Sequence, residues 1–544
     1  MTDDGALTPE IRRVAIVVVV GAIMSILDTT IVNVALESLS QDLNAPLSTI
    51  QWVATGYLLS LATVIPLTGW AAETFGPRRV WMTVVAGFVV TSALCGLAWS
   101  AESLIAFRVL QGFAGGMIMP IGMITMAQTA GPQRVGRVMS VIGVPMLMGP
   151  VLGPVIGGLI VTHLSWRWIF LVNLPVGLIG LVLAARLMPA GRSEGRGGAG
   201  APSRLDWRGL VLLSPGLGLL VFGLSEVSTH GGVTPGSSLP VIGGLLLIAA
   251  FVWHAWRSDA PLVDVHLFRS RGFSAAGATV FLVGGALFGA LLLLPLYYQV
   301  ARGESALTAG LLMAPQGIGA ALGMNRAGRL TDRIGGGRVV IAGLLMLMAG
   351  TVAFTQVTAH TSYWVLGASL VVRGVGLGFT MMPAMAAAYA TLERSDVPRA
   401  TPMLNVLQRV GGSLGTAVLA VILQRQITSE LGAGGGGLNA ARGISGAARD
   451  RVAGPIATAF AHTYWWAMAG TALAIVPAAV LAVTERRTAR ERTAAVEERR
   501  AGGPAATEPV GVAAPGDGAH AGDDAHAGDG ARAGAQSISR SPLP

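Results

Sequence analysis

Charged side chains in this chain stand almost only between apolar runs of about twenty residues, and that spacing constrains the fold more than any single motif. A bilayer core of about 30 Å takes roughly 20 apolar residues per helix. Measured that way, the sequence holds fourteen candidate spans, the first six near 14–36, 48–72, 80–99, 102–127, 138–162 and 167–188. Two more lie near 208–227 and 239–257, and the last six near 273–298, 307–329, 338–357, 363–389, 402–424 and 456–483. The runs are continuous rather than alternating, which favours helices over a barrel. Only 12% of the 544 residues are charged, about half the soluble norm of roughly 25%, so a water-soluble enzyme of this size is excluded. The net charge of +9 does not point to nucleic acid, because the arginines do not gather on a soluble domain. The expected class is an all-α polytopic membrane protein.

Arginine placement orients the spans. With the N-terminus inside, the cytoplasmic segments carry Arg12 and Arg13, Arg78 and Arg79, Arg134 and Arg137, then a linker rich in arginine and glycine from Ala190 to Arg204. Arg257, Arg269 and Arg271 follow, then Arg329, Arg333 and Arg338, Arg394 and Arg399, and the tail from Arg486. The opposite loops are nearly bare, which is the positive-inside pattern and puts both termini in the cytoplasm. The 425–454 loop, with four arginines, is the exception, late in the chain where the rule is weakest.

A repeat supports the same division. Gly69, Glu73, Gly76 and Arg79 recur as Gly328, Asp332, Gly335 and Arg338, all at an offset of 259 residues. Arg108 and Arg373, each inside an apolar run, recur at an offset of 265. The expected organisation is a cytoplasmic N-terminus (1–13), a six-helix bundle (14–188) and a linker with two added spans (189–272). A second six-helix bundle (273–483) and a largely disordered cytoplasmic tail (484–544) complete it. Parallel repeats of this kind mark transporters. His520 and His526 fall in the tail and read as spacer; the single Cys95 reads as a small packing residue, so neither a disulfide nor a metal site is expected.

Charge inside the hydrocarbon layer is costly and usually functional. Of the 28 acids, only Asp28 lies well inside a span, in a polar stretch with Thr29 and Asn33. A carboxylate there can be neutralised by a proton or by a positive ligand, but not cheaply by both, and such competition is a minimal exchange device. Arg108, followed by Gln111, is the matching base; a static structural pair is the plainer reading. Arg373 and Arg409 are second-half candidates that could instead bond carbonyls or helix ends. Gly149, Gly153 and Gly157 share one helix face, with Pro150 and Pro154 between them and Gly158 after, which allows close helix contact and a bend. In the turn Gly69–Arg79, Glu73 can hydrogen-bond a neighbouring helix N-terminus or pair with arginine. With Gly76, Arg78 and Arg79, and their counterparts Asp332 and Arg333, it would latch two halves together in one state.

These segments resemble the major facilitator superfamily, and within it the fourteen-span drug:proton antiporters, over residues 14–483. The run from Ser165 through Trp166, Arg167 and Asn173 to Pro175 is similar to a signature of that subgroup. The resemblance implies two six-helix bundles with two helices inserted between them, alternating access, drug export, and proton coupling through Asp28 and Arg108. Three residues depart from the family pattern: Glu73 for an aspartate, Thr74 for an arginine and Glu37 for a proline. The first keeps the charge; the second removes a latch contact. The expected function is proton-driven export of amphipathic, cationic or aromatic small molecules bound near Asp28, from a bacterial plasma membrane, by a monomer that needs no cofactor. The alternatives are export of one endogenous metabolite, such as an antibiotic or siderophore, or a receptor or channel. No paired intramembrane aspartates or HExxH sequence supports catalysis.

Overall fold

The computed structural model describes residues 8–131, 134–189, 205–390, 392, 396–431 and 447–487. The expectations for the 190–204 linker, residues 432–446 of the 425–454 loop and the tail with His520 and His526 lie outside the described residues, and the side chains of Asn33, Pro150 and Pro154 do too. Everything described is helical or connecting, with no strand among the described residues. The first half comprises α1 (Pro9–Asp42), α2 (Leu47–Val64), α3 (Leu67–Phe75), α4 (Pro77–Gly96), α5 (Ala101–Ala130), α6 (Val135–His163), α7 (Trp168–Leu171) and α8 (Asn173–Leu187). The added pair is α9 (Trp207–His230) and α10 (Pro235–Arg257). The second half has α11 (Arg271–Leu296), α12 (Ala306–Ile334), α13 (Gly336–Val352), α14 (Tyr363–Ala390), α15 (Val397–Leu431) and α16 (Ala447–Leu473), with helical backbone again over 475–487.

Helices stand at all the expected places, but apolarity is a stricter measure. Among the described residues, eleven helices are long and apolar enough to cross a membrane, or twelve if the bent pair α2–α3 is one span. Helix α12 passes no such test by itself, since Gln316, Asn325, Arg326 and Arg329 interrupt it. The 56° bend between α2 and α3 falls at Pro66, where the missing N–H and the ring clash break the ladder. On the outer helix α10, Leu239 is 76% and Leu246 67% exposed, a cost in water of about 25 cal/mol per Å² that lipid tails remove.

Packing repeats as the sequence does. In the first half α1 lies on α6, and α5 lies on both α2 and α4; in the second, α11 lies on α15, and α14 lies on both α12 and α13. The two glycines at corresponding turns also match: Gly76 has φ 81° and ψ 145°, Gly335 φ 90° and ψ 148°, a left-handed backbone that side chains resist. The halves meet where α6 packs on α12 and where α3 packs on α15. The added pair does not separate them: α9 packs against α2 and α15 at the flank, tied by Ser214 Oγ donating to the Thr63 carbonyl at 2.5 Å.

Candidate functional site

Asp28 sits on α1 with its side chain fully enclosed. Its Oδ2 accepts from Arg108 Nη1 at 2.6 Å; its Oδ1 accepts from Asn173 Nδ2 at 2.9 Å and from Gln111 Nε2 at 3.2 Å. Arg108 on α5 also donates through Nε to the Val53 carbonyl at 3.1 Å and through Nη1 to Gln111 Oε1 at 2.7 Å. Its guanidinium lies 4.0 Å from the centroid of the Tyr57 ring on α2. Asn173, at the head of α8, reaches Ser92 Oγ at 3.1 Å, and Cys95 Sγ leans on Gln111 Oε1 at 3.5 Å. A buried pair repays its desolvation only when its remaining lone pairs and protons are bonded, and this shell bonds both carboxylate oxygens.

Cargo was expected beside Asp28 in a space between the halves; among the described residues every hydrogen-bond partner of the acid belongs to the first half. Thr29 is not one of them: its hydroxyl donates to the Ser25 carbonyl at 2.8 Å within α1. The glycine face of α6 packs on α1 to either side of Asp28: a Cβ on Gly149 would lie 2.0 Å from Ile26 Cγ2, and one on Gly153 2.0 Å from Thr30 Oγ1. Gly157 faces Ile31 at 3.2 Å, whereas Gly158 faces nothing within 4 Å and stands outside that contact.

At the end of the bundle that carries the two repeated turns, paired contacts cross the halves. Glu73 on α3 accepts from Arg399 at the head of α15, Nε to Oε1 at 2.8 Å and Nη2 to Oε2 at 3.3 Å. Asp332 at the end of α12 accepts through Oδ1 from the Gly136 N–H, at the head of α6, at 3.0 Å, an acid on a helix N-terminus. Burial pushes the Asp332 carboxyl above the ordinary aspartate range, against the pull of the Gly136 and Arg137 N–H groups and the Arg137 charge. Each turn begins with a glycine that lies close against the other half. A Cβ on Gly69 would lie 2.5 Å from the Pro398 carbonyl oxygen, and one on Gly328 2.9 Å from Arg137 Cα. Arg78 donates to the Ala185 carbonyl at 2.5 Å, inside its own half. Arg79 and Arg333 are exposed, and neither makes a hydrogen bond or ion pair across the halves among the described residues.

The second half repeats the arginine without the acid. Arg373 is 5% exposed and donates through Nη1 to Gln316 Oε1 at 3.0 Å. Gln316 stands 259 residues after Tyr57, and the residue at the same offset from Asp28 is Leu287. Arg409 on α15 lines a cavity of about 230 Å³ bounded by α2, α9, α11 and α15, and has no hydrogen-bond or ion-pair partner among the described residues. Sequence reasoning gave Tyr57 no place; Asn173 stood only in the signature run and Arg399 only among the orienting arginines. Arg399 carries a signal in hindsight, since it follows Arg137 by 262 residues and both open the helix that a turn acid reaches.

Known proteins agree with this architecture. The Major Facilitator Superfamily profile matches residues 18–416. A multidrug resistance protein B homolog of Mycobacterium tuberculosis is 43% identical over 418 residues, 76% of each chain. A putative multidrug resistance protein MdtD of Serratia proteamaculans is 32% identical over 416 residues, covering 75% of this chain and 84% of its own. Among solved structures, a human organic anion transporter superposes with a TM-score of 0.56 at 19% identity, over 85% of this chain and all of that one. The proton:xylose symporter XylE superposes with a TM-score of 0.53 at 14% identity, over 84% and 94%. These last two speak to the fold alone. With a profile over most of its length and a relative at 43% identity, the chain belongs to the Major Facilitator Superfamily, as a multi-pass transporter of the kind named for multidrug efflux.

Proposed function

We propose that the chain is a proton-coupled exporter of amphipathic drugs that works by alternating access, and not an enzyme. It would cross a bacterial plasma membrane fourteen times as a monomer, with both termini cytoplasmic and no cofactor, driven by the proton gradient. Protons, a small-molecule cargo and the lipid bilayer are its partners; nucleic acid is not. The domain division is the one read from the repeat, two six-helix bundles with 189–272 as the inserted linker and pair.

One observation carries the coupling: the fully enclosed Asp28–Arg108 pair at 2.6 Å. Protonation of Asp28 from outside removes the charge that Arg108 balances, and the pair loosens. Helix α1 then shifts against α6, because Gly149 and Gly153 fit so closely on Ile26 and Thr30. The head of α6 carries Gly136, which Asp332 holds across the halves. A proton at Asp28 thereby weakens the cytoplasmic latch and turns the cavity inward for loading. Release of the proton to the cytosol restores the pair and the latch, and cargo leaves outward. Coupling on this scheme is mechanical, with the proton and cargo at separate places.

The test uses inside-out vesicles loaded with a cargo identified by a resistance screen in a pump-deficient host. Wild-type accumulation should collapse with an uncoupler and persist with an ATPase inhibitor. Asp28→Asn should lose gradient-driven accumulation while still exchanging labelled for unlabelled cargo. Full gradient-driven accumulation by Asp28→Asn would refute the coupling role.

A further inference from the structure

Two cations inside the apolar runs are left unused by the exchange scheme: Arg373, buried and bonded to Gln316, and Arg409, half-buried. Arg409 stands two turns below Thr416 on α15, roughly 10 Å along the helix, and both line the cavity between α2, α9, α11 and α15. Leu58, Leu224 and Phe288 give the cavity its apolar walls, and Ser225, Ser228 and Ser413 add three hydroxyls to that of Thr416. No acid lines this cavity, and Arg409 donates no hydrogen bond to any described residue. A half-buried guanidinium facing a largely apolar cavity without a counter-ion leaves its fork open to an anionic partner. Its planar fork matches a carboxylate or sulfonate in two parallel bonds.

We propose that this cavity is the cargo subsite and that it takes amphipathic organic anions: one carboxylate or sulfonate on an aromatic or aliphatic body. The head pairs with Arg409 and the body lies on Leu58, Leu224 and Phe288. Polar substituents at the far end meet Ser225 and Thr416. This deepens the exporter reading and rests on it, and it replaces the cationic cargo expected from the sequence. The place also suits coupling. Leu58 follows Tyr57, whose ring covers Arg108 and which lies within electrostatic reach of Arg409. An anion in the cavity therefore adjoins the same helix that flanks the proton site.

Calorimetric titration of the purified full chain in phosphatidylcholine nanodiscs tests this, with 2-naphthoate, its uncharged amide and 2-naphthylmethylammonium as probes. A charge-assisted pair predicts that naphthoate binds about tenfold or more tightly than the amide, and that the cation binds more weakly than both. Arg409→Gln should bring naphthoate down to the affinity of the amide while amide binding, the sign of an intact cavity, is unchanged. Arg409→Lys should keep part of the preference, and Leu58→Trp should weaken all three probes by filling the space. Equal binding of naphthoate and amide to wild type, or a preference that survives Arg409→Gln, overturns the proposal. Should Arg409→Gln misfold, the Arg409→Lys and Leu58→Trp responses decide it in the same way. Displacement of naphthoate by phosphatidylglycerol nanodiscs would make the occupant a lipid and overturn it as well. Failure of the exporter reading looks different: the naphthoate preference and its Arg409 dependence persist, but vesicles show no gradient-driven accumulation.

Discussion

Asp28 and Arg108 share a contact where either charge alone would be expensive. Removing one member of such a buried pair typically costs about 3–5 kcal/mol. Arg108→Gln should therefore lower stability by about that much, because it leaves the carboxylate enclosed with only amide donors. The double variant with Asp28→Asn should lose less than the two single losses combined, read from thermal unfolding in one detergent. Asn173→Leu removes a donor from the same carboxylate and should cost about 1–3 kcal/mol, with the rate of proton-coupled export changed as well. The charged members of this site were legible in the sequence because a charge in an apolar run stands out. Tyr57 was not, and Asn173 was marked only by its signature run, because a neutral amide or phenol shows no partner until its neighbours are known. Thr29 misled for a related reason: proximity in sequence to Asp28 said nothing about which carbonyl its hydroxyl would choose.

Among the elements, α3 and α12 end in the same device and use it differently. Glu73 grips a side chain, Arg399, while Asp332 grips backbone at the head of α6. Glu73→Gln should favour the inward-open form by about 1 kcal/mol, since the pair is only half-buried, and the exchange of Glu73→Arg with Arg399→Glu should recover much of it. Gly328→Val should act more strongly, because its side chain meets Ser140 and the backbone of α6. A cysteine placed at Thr401, buried on α15 two residues after Arg399, should then react with a hydrophilic maleimide at least about fivefold faster, the factor that 1 kcal/mol supplies. An unchanged rate would mean that this close approach does not hold the latch. The turn glycines were legible from their repeat, but the partner Arg399 was not. As a loop arginine it was read for orientation, and only the packing of α3 on α15 gives it an acid to meet.

For the whole molecule, the order of helices followed from hydropathy and arginine placement, and the two-fold repeat of packing followed from one offset. The flanking position of α9 and α10 did not, since chain order places them between the halves while packing places them beside α2 and α15. Rocking halves make a direct prediction. Arg79 and Arg333, exposed and outside the latch, are suitable sites for spin labels in a Cys95→Ser background. Their separation should widen by electron–electron resonance when Glu73→Gln and Asp332→Asn are combined, and should stay unchanged if the halves do not move. Charge is also shared unequally between those halves. In the first, Arg108 is balanced by Asp28; in the second, neither Arg373 nor Arg409 has a carboxylate partner among the described residues. A voltage across the bilayer acts at about 2.3 kcal/mol per elementary charge per 100 mV, so it pulls mainly on the second half. Turnover should then generate current, and an anion seated on Arg409 would reduce the charge that moves with it.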